Sequence, residues 1–496
     1  MRYLYATAAA IAPLLFACGA NAQVTISSSR TTPITTANPA GSGPADIIIA
    51  SGGTITLTSG TAVTVNSDND FSISAGGNIT MSNAASDSIA VLIQGGNTAD
   101  ITIAGSITIT DSLGQSTDSD GDGDLDGPFA TGSNRFGIRL DAGGPMTGNV
   151  RMQSSSIIQV EGNESFGVSL ESDLIGNLTN QGTIQVVGNN SMGVRALGDI
   201  DGTVYLGGTV ATLGGGSTAI GLFGDITGGL NIQGSVSSTG YRYISRPSAE
   251  AIARLDADDL LQGGPAVVIA GNVAGGVTFG SRPTDEDEDE ADEDGDGIPD
   301  ADETTAQIDV YGEAPAILVG SDTQAITLGL VGTGDLAYGF INQGGVSAQG
   351  VYDGVEANGI RFGLEGGQAV TIEGGILNSG RVSALAYAAN AVGVRLSSGV
   401  STPQFINDGD MTAASASEVS STVTTLLIEA GANLPTFTNN GQFLASSGGG
   451  TADLTALLDL SGTLTSITNT GSMQSNIFAN TAGDPITGTA TLINVE

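Results

Sequence analysis

Asn342-Gln343-Gly344-Gly345-Val346 and, 36 residues later, Asn378-Ser379-Gly380-Arg381-Val382 carry one pattern, Asn-x-Gly-x followed by an apolar residue. The pattern occurs six times, beginning at Asn180, Asn342, Asn378, Asn407, Asn439 and Asn469. Its apolar followers are Ile184, Val346, Val382, Met411, Phe443 and Met473, and from Asn342 on the spacings are 36, 29, 32 and 30 residues. A second element places Gly before a large apolar residue: Phe136-Gly137-Ile138-Arg139-Leu140, Phe166-Gly167-Val168-Ser169-Leu170, Met192-Gly193-Val194 and Ile220-Gly221-Leu222. It returns as Asn358-Gly359-Ile360-Arg361-Phe362 and Val392-Gly393-Val394-Arg395-Leu396. Between these marks lie runs such as Ile47-Ile48-Ile49, Thr54-Ile55-Thr56-Leu57-Thr58 and Ile101-Thr102-Ile103. β-Branched runs punctuated by Gly and Asn are strand and turn sequence. A period of this length with several short strands predicts stacked repeats. The fold expected is all-β: a right-handed parallel β-helix, or solenoid, of imperfect 26–32-residue repeats with two acidic loop insertions. With an advance of about 4.8 Å per coil, roughly fourteen coils would form a rod about 70 Å long.

Gly and Asn tolerate the left-handed backbone of tight turns. Stacked Asn side chains can also bond their amides from coil to coil. The Asn-x-Gly files are therefore expected to be structural. Arg139, Arg361 and Arg395 fall in similar register after the Gly element and read as outward strand positions.

Composition narrows the chemistry. The 496 residues include 76 Gly, no Trp, no His and a single Cys at position 18, and all 13 basic residues are Arg. Lacking His, the chain has no Ser-His-Asp or Cys-His nucleophile site, and without His and further Cys it has no Cys/His zinc site. Lacking Lys, it has no Walker-A loop and no Schiff-base chemistry. With 52 acidic residues and a net charge of −39, it repels phosphate, and no nucleic-acid partner is expected. Carboxylate chemistry, calcium or no catalysis remain.

Residues 1–22 read as a secretory signal, with Arg2, an apolar run from Ala8 to Cys18, and Ala20-Asn21-Ala22 before Gln23. The organisation expected after it is coils over 23–110, an acidic loop over 111–130 and coils over 131–240. A helical insertion over 241–262, strands over 263–280, an acidic calcium-like loop over 281–305 and coils over 306–496 follow. In the helical insertion, Ile252, Leu255 and Leu260 recur at helix-like spacing after Pro247.

Eighteen of the 52 acids sit in two windows. In the second, Asp292-Glu293-Asp294-Gly295-Asp296-Gly297-Ile298-Pro299-Asp300-Ala301-Asp302-Glu303 satisfies the calcium-loop pattern D-x-D-x-D-G-x5-E. Asp292, Asp294 and Asp296 would be the first ligands, Ile298 would offer its carbonyl, Asp300 the ninth position and Glu303 a bidentate carboxylate. Alternate carboxylates on a curled loop converge on one point, which suits a hard cation seeking six to eight oxygens. The first window offers Asp118, Asp120, Asp122, Asp124 and Asp126, but Phe129 stands where the last carboxylate belongs. These helix-free acidic stretches look like the calcium repeats of thrombospondin type 3. The alternative is a solvated, self-repelling linker.

The signal, the imperfect Gly- and Asn-rich coils and the acidic insertion together resemble autotransporter passenger domains of Gram-negative bacteria. Asp258–Val277 and Gly334–Gly354 resemble segments of such exported proteins. The resemblance implies a location at the cell surface, the outer membrane or outside the cell. It also implies an outer-membrane β-barrel translocator as partner. The last hundred residues still read as repeats, so the chain is expected to be a fragment of a longer protein or to be displayed by another component. The expected function is non-enzymatic, adhesive or structural. Its ligands would be host cells, neighbouring cells or surface polysaccharides. The alternatives are a polysaccharide lyase or hydrolase, and a calcium-dependent surface-layer or fibre component.

Overall fold

A computed structural model describes residues 22–495, except 114–117, 119–124, 256, 285–290, 293–297, 333–336, 417–419 and 479–485. The chain is a parallel β-helix. Three sheets, here A, B and C, each hold fourteen strands, and each turn of the chain lays one strand in each sheet. Neighbouring strands are parallel: Phe340–Asn342 lies on Ile376–Asn378 in sheet A, and Phe136–Leu140 lies on Phe166–Leu170 in sheet C. Short strands such as Met146–Thr147, Leu174–Ile175 and Ile200–Asp201 form a small extra ladder between sheets C and A.

Because side chains alternate across a strand, one set from every sheet points into a shared core. Most of the core is aliphatic, with Ile47, Ile49, Ile103, Val168, Leu206 and Val319 almost wholly buried. Burying each such side chain contributes about 1.5–3 kcal/mol. With no helix to close the core, stability rests on stacking equivalent side chains in columns.

One inward column of sheet A shows how the Asn-x-Gly pattern works. It runs Ile49, Ile73, Ile103, Met152, Asn180, Leu206, Ile232 and Phe279, then Asn342, Asn378, Asn407, Asn439 and Asn469. In the last five coils Asn342, Asn378, Asn407 and Asn439 each donate Nδ2 to Oδ1 of the next Asn at 2.7 Å. Aligned amides in a poorly polar interior polarise one another and strengthen each bond. The first rung is the exception: Asn342 Oδ1 is buried without a hydrogen bond among the described residues, because Phe279 occupies the coil beneath.

The glycines of this pattern have a different cause from the one expected. None of Gly182, Gly344, Gly380, Gly409, Gly441 and Gly471 has a left-handed φ. What they supply is clearance. A Cβ at Gly409 would lie 2.0 Å from the carbonyl oxygen of Gly380, and one at Gly441 would lie 2.0 Å from that of Gly409. Successive coils touch backbone to backbone at the A–B corner, and only Gly fits. In the second element Gly137, Gly167 and Gly193 also stack, but Gly221 lies opposite Arg195 and Ala219 takes the glycine place.

Polar files close the other corners. Asp46, Asp70, Asp100, Asn149 and Asn177 each accept the backbone N–H of the next coil at 2.7–3.1 Å. Asp173, Asp199, Asp225 and Asn272 repeat this on a second line at 2.8–3.0 Å. Ser165, Ser191 and Ser217 run the other way, each hydroxyl accepting the backbone N–H of the preceding coil at 3.0 Å. Six of the 34 acids outside the two windows stand in these files and cap backbone donors at corners.

The helical insertion is mostly not helix. Among its described residues only Ala249–Ile252 forms a turn of α-helix, with Ser248 Oγ accepting from the N–H of Ala251. The Asp-rich run that follows, with Asp258 and Asp259, favours local hydrogen bonds over helix continuation. Ile252 and Leu255 still pack inward, against Tyr241, Val351 and Tyr352.

Asn407→Leu should remove two rungs while keeping a side chain that the same column accepts at Leu206. It leaves an Asn378 donor and an Asn439 acceptor buried, so the opening free energy of the surrounding coils, measured by amide hydrogen exchange, should fall by about 2 kcal/mol.

Candidate functional site

The two acidic windows leave the rod at different corners. The first departs from Ser106–Ile109 of sheet B and returns at Phe136–Leu140 of sheet C. Its neck is closed by one buried carboxylate. Asp111 accepts hydrogen bonds from the N–H groups of Leu113 and Gly132 at 3.0 and 2.8 Å and from the Thr131 hydroxyl at 2.7 Å. It also pairs with the buried guanidinium of Arg135 at 2.8 Å. Arg135 spends its remaining donors on the carbonyls of Ala84, Ala85 and Glu161. Burial pushes the Asp111 carboxyl up, but these donors outweigh it and hold the carboxyl far below the usual carboxylate range. Of the residues proposed as ligands here, Asp118 is exposed and Asp126 half-buried, while Asp120, Asp122 and Asp124 lie outside the described residues.

The second window joins Val277–Phe279 of sheet A to Gln307–Tyr311 of sheet B, at the corner that Asn-x-Gly occupies in later coils. The N–H of Arg282 donates to Thr305 Oγ1 at 3.1 Å, and Thr304 Oγ1 donates to the Gln233 carbonyl at 2.5 Å. The N–H of Asp300 donates to the carbonyl of Ala291 at 2.9 Å, which holds Asp292 and Asp300 at the two ends of one hydrogen-bonded turn of chain. Ile298, Asp300 and Glu303 are buried and Asp292 is half-buried. Asp294 and Asp296 lie outside the described residues, and among the described residues no three carboxylates converge on one point.

Ile298 overhangs a groove of about 470 Å³ on the outer face of sheet A. The floor is a file from five successive coils: Arg151, Thr179, Tyr205, Asn231 and Thr278 stand directly above one another. Val331 forms the opposite wall. The Tyr205 hydroxyl donates to Gln233 Oε1 at 2.8 Å, and its ring lies where a Cβ on Gly207 would collide with it, 2.5 Å from the phenol oxygen. The sequence reading missed this file, whose members differ in type. They share only an outward place in sheet A, which becomes legible once the register is known.

A second concavity, of about 340 Å³, lies on sheet B under Tyr241–Ile244. It gathers Asp309, Tyr311, Tyr241, Arg242 and Gln185. Burial raises the Asp309 carboxyl, partly offset by hydrogen bonds from Gln307 and Ser347, and also raises both phenols. Arg139 and Arg395 stand outward as expected, paired with Glu171 at 2.8 Å and Glu429 at 3.4 Å.

No family model, no curated protein and no solved structure matches this chain. The groove, the cavity and the two acidic windows are therefore read from their own chemistry.

The Asp111 clamp makes a signed prediction. A carboxyl depressed by folding stabilises the native state above its unfolded pKa, about 4, and loses that contribution as pH falls toward the folded value. Wild type should exceed Asp111→Asn by about 3 kcal/mol at neutral pH, with the gap narrowing steadily below about pH 4 in denaturation experiments.

Proposed function

We propose that the chain is an exported, non-enzymatic passenger displayed at the cell surface or released outside it, with an adhesive or structural role. The observation that carries this reading is the unbroken stacking of fourteen coils, with long excursions confined to corners. A scaffold of that kind holds separate surfaces at fixed distances along one axis. It has little hinge freedom, because every coil is bonded to both neighbours. The signal-like residues 1–22 support export, and the resemblance to autotransporter passengers supports delivery by an outer-membrane β-barrel. Calcium is the cofactor proposed for the second acidic window. The hydrogen bond between Ala291 and Asp300 and the burial of Asp300 and Glu303 support Asp292, Ile298, Asp300 and Glu303 as part of its ligand set. A bound cation there would offset a dense block of like charge.

One experiment addresses display and calcium together. Intact producing cells are treated with a Glu-specific protease, with added calcium or with chelator. The protein should be lost from intact cells in both conditions, and calcium should slow cleavage within residues 285–303. Protection until the cells are opened would refute display, and cleavage there at equal rates would refute calcium binding.

The cavity on sheet B favours a second reading, a polysaccharide lyase or hydrolase. A carboxyl with a raised pKa beside a guanidinium and two phenols is acid–base equipment. Depolymerisation of polysaccharides by the purified protein, lost in Asp309→Asn with the fold intact, would establish it. Absence of turnover in wild type would remove it.

A further inference from the structure

We infer that the groove on sheet A is a binding site for a neutral, extended oligosaccharide lying parallel to the rod axis. The inference rests on the adhesive reading and names its ligand class. The floor offers a guanidinium, a hydroxyl, a phenol, a carboxamide and a second hydroxyl on five consecutive coils: Arg151, Thr179, Tyr205, Asn231 and Thr278. These are groups that exchange hydrogen bonds with sugar hydroxyls. Two of them have capacity to spare. Asn231 Oδ1 is tucked beside Gly280 without a hydrogen bond among the described residues, so turning the carboxamide outward to a ligand forfeits no bond of that oxygen. Arg151 is exposed and forms no ion pair among them, its nearest acceptor being Gln181 Oε1 at a long 3.5 Å.

Spacing selects the ligand. The floor groups repeat at the coil advance of about 4.8 Å, and the file spans about 19 Å. A pyranose unit in an extended glycan advances by nearly one coil, so successive sugars meet successive rungs. An extended peptide presents same-face side chains every ~6.6 Å and falls out of step within two residues. Nor can a peptide add as a strand here, because the floor is the face of a sheet whose interior strands are already paired on both sides.

Charge selects among glycans. The chain carries −39, and the wall containing Ile298 belongs to its most acidic segment. One arginine in that field does not attract a polyanion. A neutral chain incurs no such repulsion and still uses Arg151 as a donor. Tyr205, at the middle of the file, packs against Gly207 and bonds Gln233; it is mostly buried and lends a small apolar floor beside polar partners, the usual composition of a specific pocket.

The test is titration calorimetry of the whole chain with the neutral hexaoses of cellulose, mannan, xylan and starch. Their disaccharides, hexagalacturonate and an extended Lys-Thr decapeptide serve as comparisons. At least one neutral hexaose should bind, its disaccharide about tenfold or more weaker. Asn231→Ala and Arg151→Gln, both on the outer face, should each weaken binding by about tenfold with unchanged circular dichroism. Thr438→Ala, on the same outward file but beyond the groove, should bind as wild type. No heat with any neutral hexaose at millimolar concentration would overturn the inference. Preference for hexagalacturonate or the peptide, or indifference to both groove variants, would overturn it equally. Display at the cell surface is read by protease treatment and stands or falls separately.

Discussion

Each coil of this molecule satisfies its backbone only by lying in register on another. Parallel strands from different turns supply one another's N–H and C=O partners, so the advance per coil is fixed at about the strand spacing, 4.8 Å. Equivalent residues are then forced into direct contact along the axis, and each column must tolerate its own repetition. Aliphatic columns gain from this through burial. Asn columns gain through amide chains, and the Asn342 to Asn469 ladder is that solution repeated over five coils. Where the corner brings main chains together, nothing larger than Gly survives, and Gly380, Gly409, Gly441 and Gly471 follow.

The same constraint gives part of the acidity its place. A carboxylate at a corner accepts the N–H of the coil above, which rewards Asp and Asn at one position after another. Stacking also places like charges in line, and each file holds three successive Asp before neutral Asn takes over: Asp46, Asp70 and Asp100 give way to Asn149 and Asn177, and Asp173, Asp199 and Asp225 to Asn272. The acid of the two windows has another origin. It falls between strands in the sequence, and so escapes the requirement that each residue match its neighbour above and below.

The period, the all-β class and the Asn amide bonding were legible in the sequence because they repeat. Asn342, Asn378 and Asn407 announce a column before any coordinate is known. What was not legible is whatever fails to repeat. The Asn-x-Gly glycines look like turn formers, since sequence shows the residue but not the carbonyl 2 Å from its missing Cβ. Gly221 looks like a fourth copy of Gly193, yet the register places Ala219 there, two residues earlier and on the same face of the strand. The groove file of Arg151, Thr179, Tyr205, Asn231 and Thr278 has no shared chemistry to find. The proposed ligands Asp292, Asp300 and Glu303 were found by spacing alone, a local property that survives ignorance of the fold.

The excursions interact over long sequence distances, and this gives the rod two unlike sides. Arg242 lies 4.6 Å over the buried ring of Phe129 and bonds the Gly127 carbonyl, while Asp258 accepts the Gly127 N–H at 2.8 Å. From the same insertion Tyr241, the neighbour of Arg242, packs edge-on against Tyr352 at 4.7 Å. There Arg246 bonds the Val351 carbonyl and Asp353, and sits 4.1 Å over Tyr387. Val351 holds φ +63°, unusual for a β-branched residue, and the bulge between Gln349 and Asp353 turns it and Tyr352 into the cluster. These contacts tie the fourth, eighth, tenth and eleventh coils along the B–C corner. Strand pairing already fixes the distance between coils, so such ties resist mainly bending and twisting about the axis. A groove that reads spacing across five coils of sheet A needs that resistance, since each rung stays in step with its ligand only while the rod stays straight.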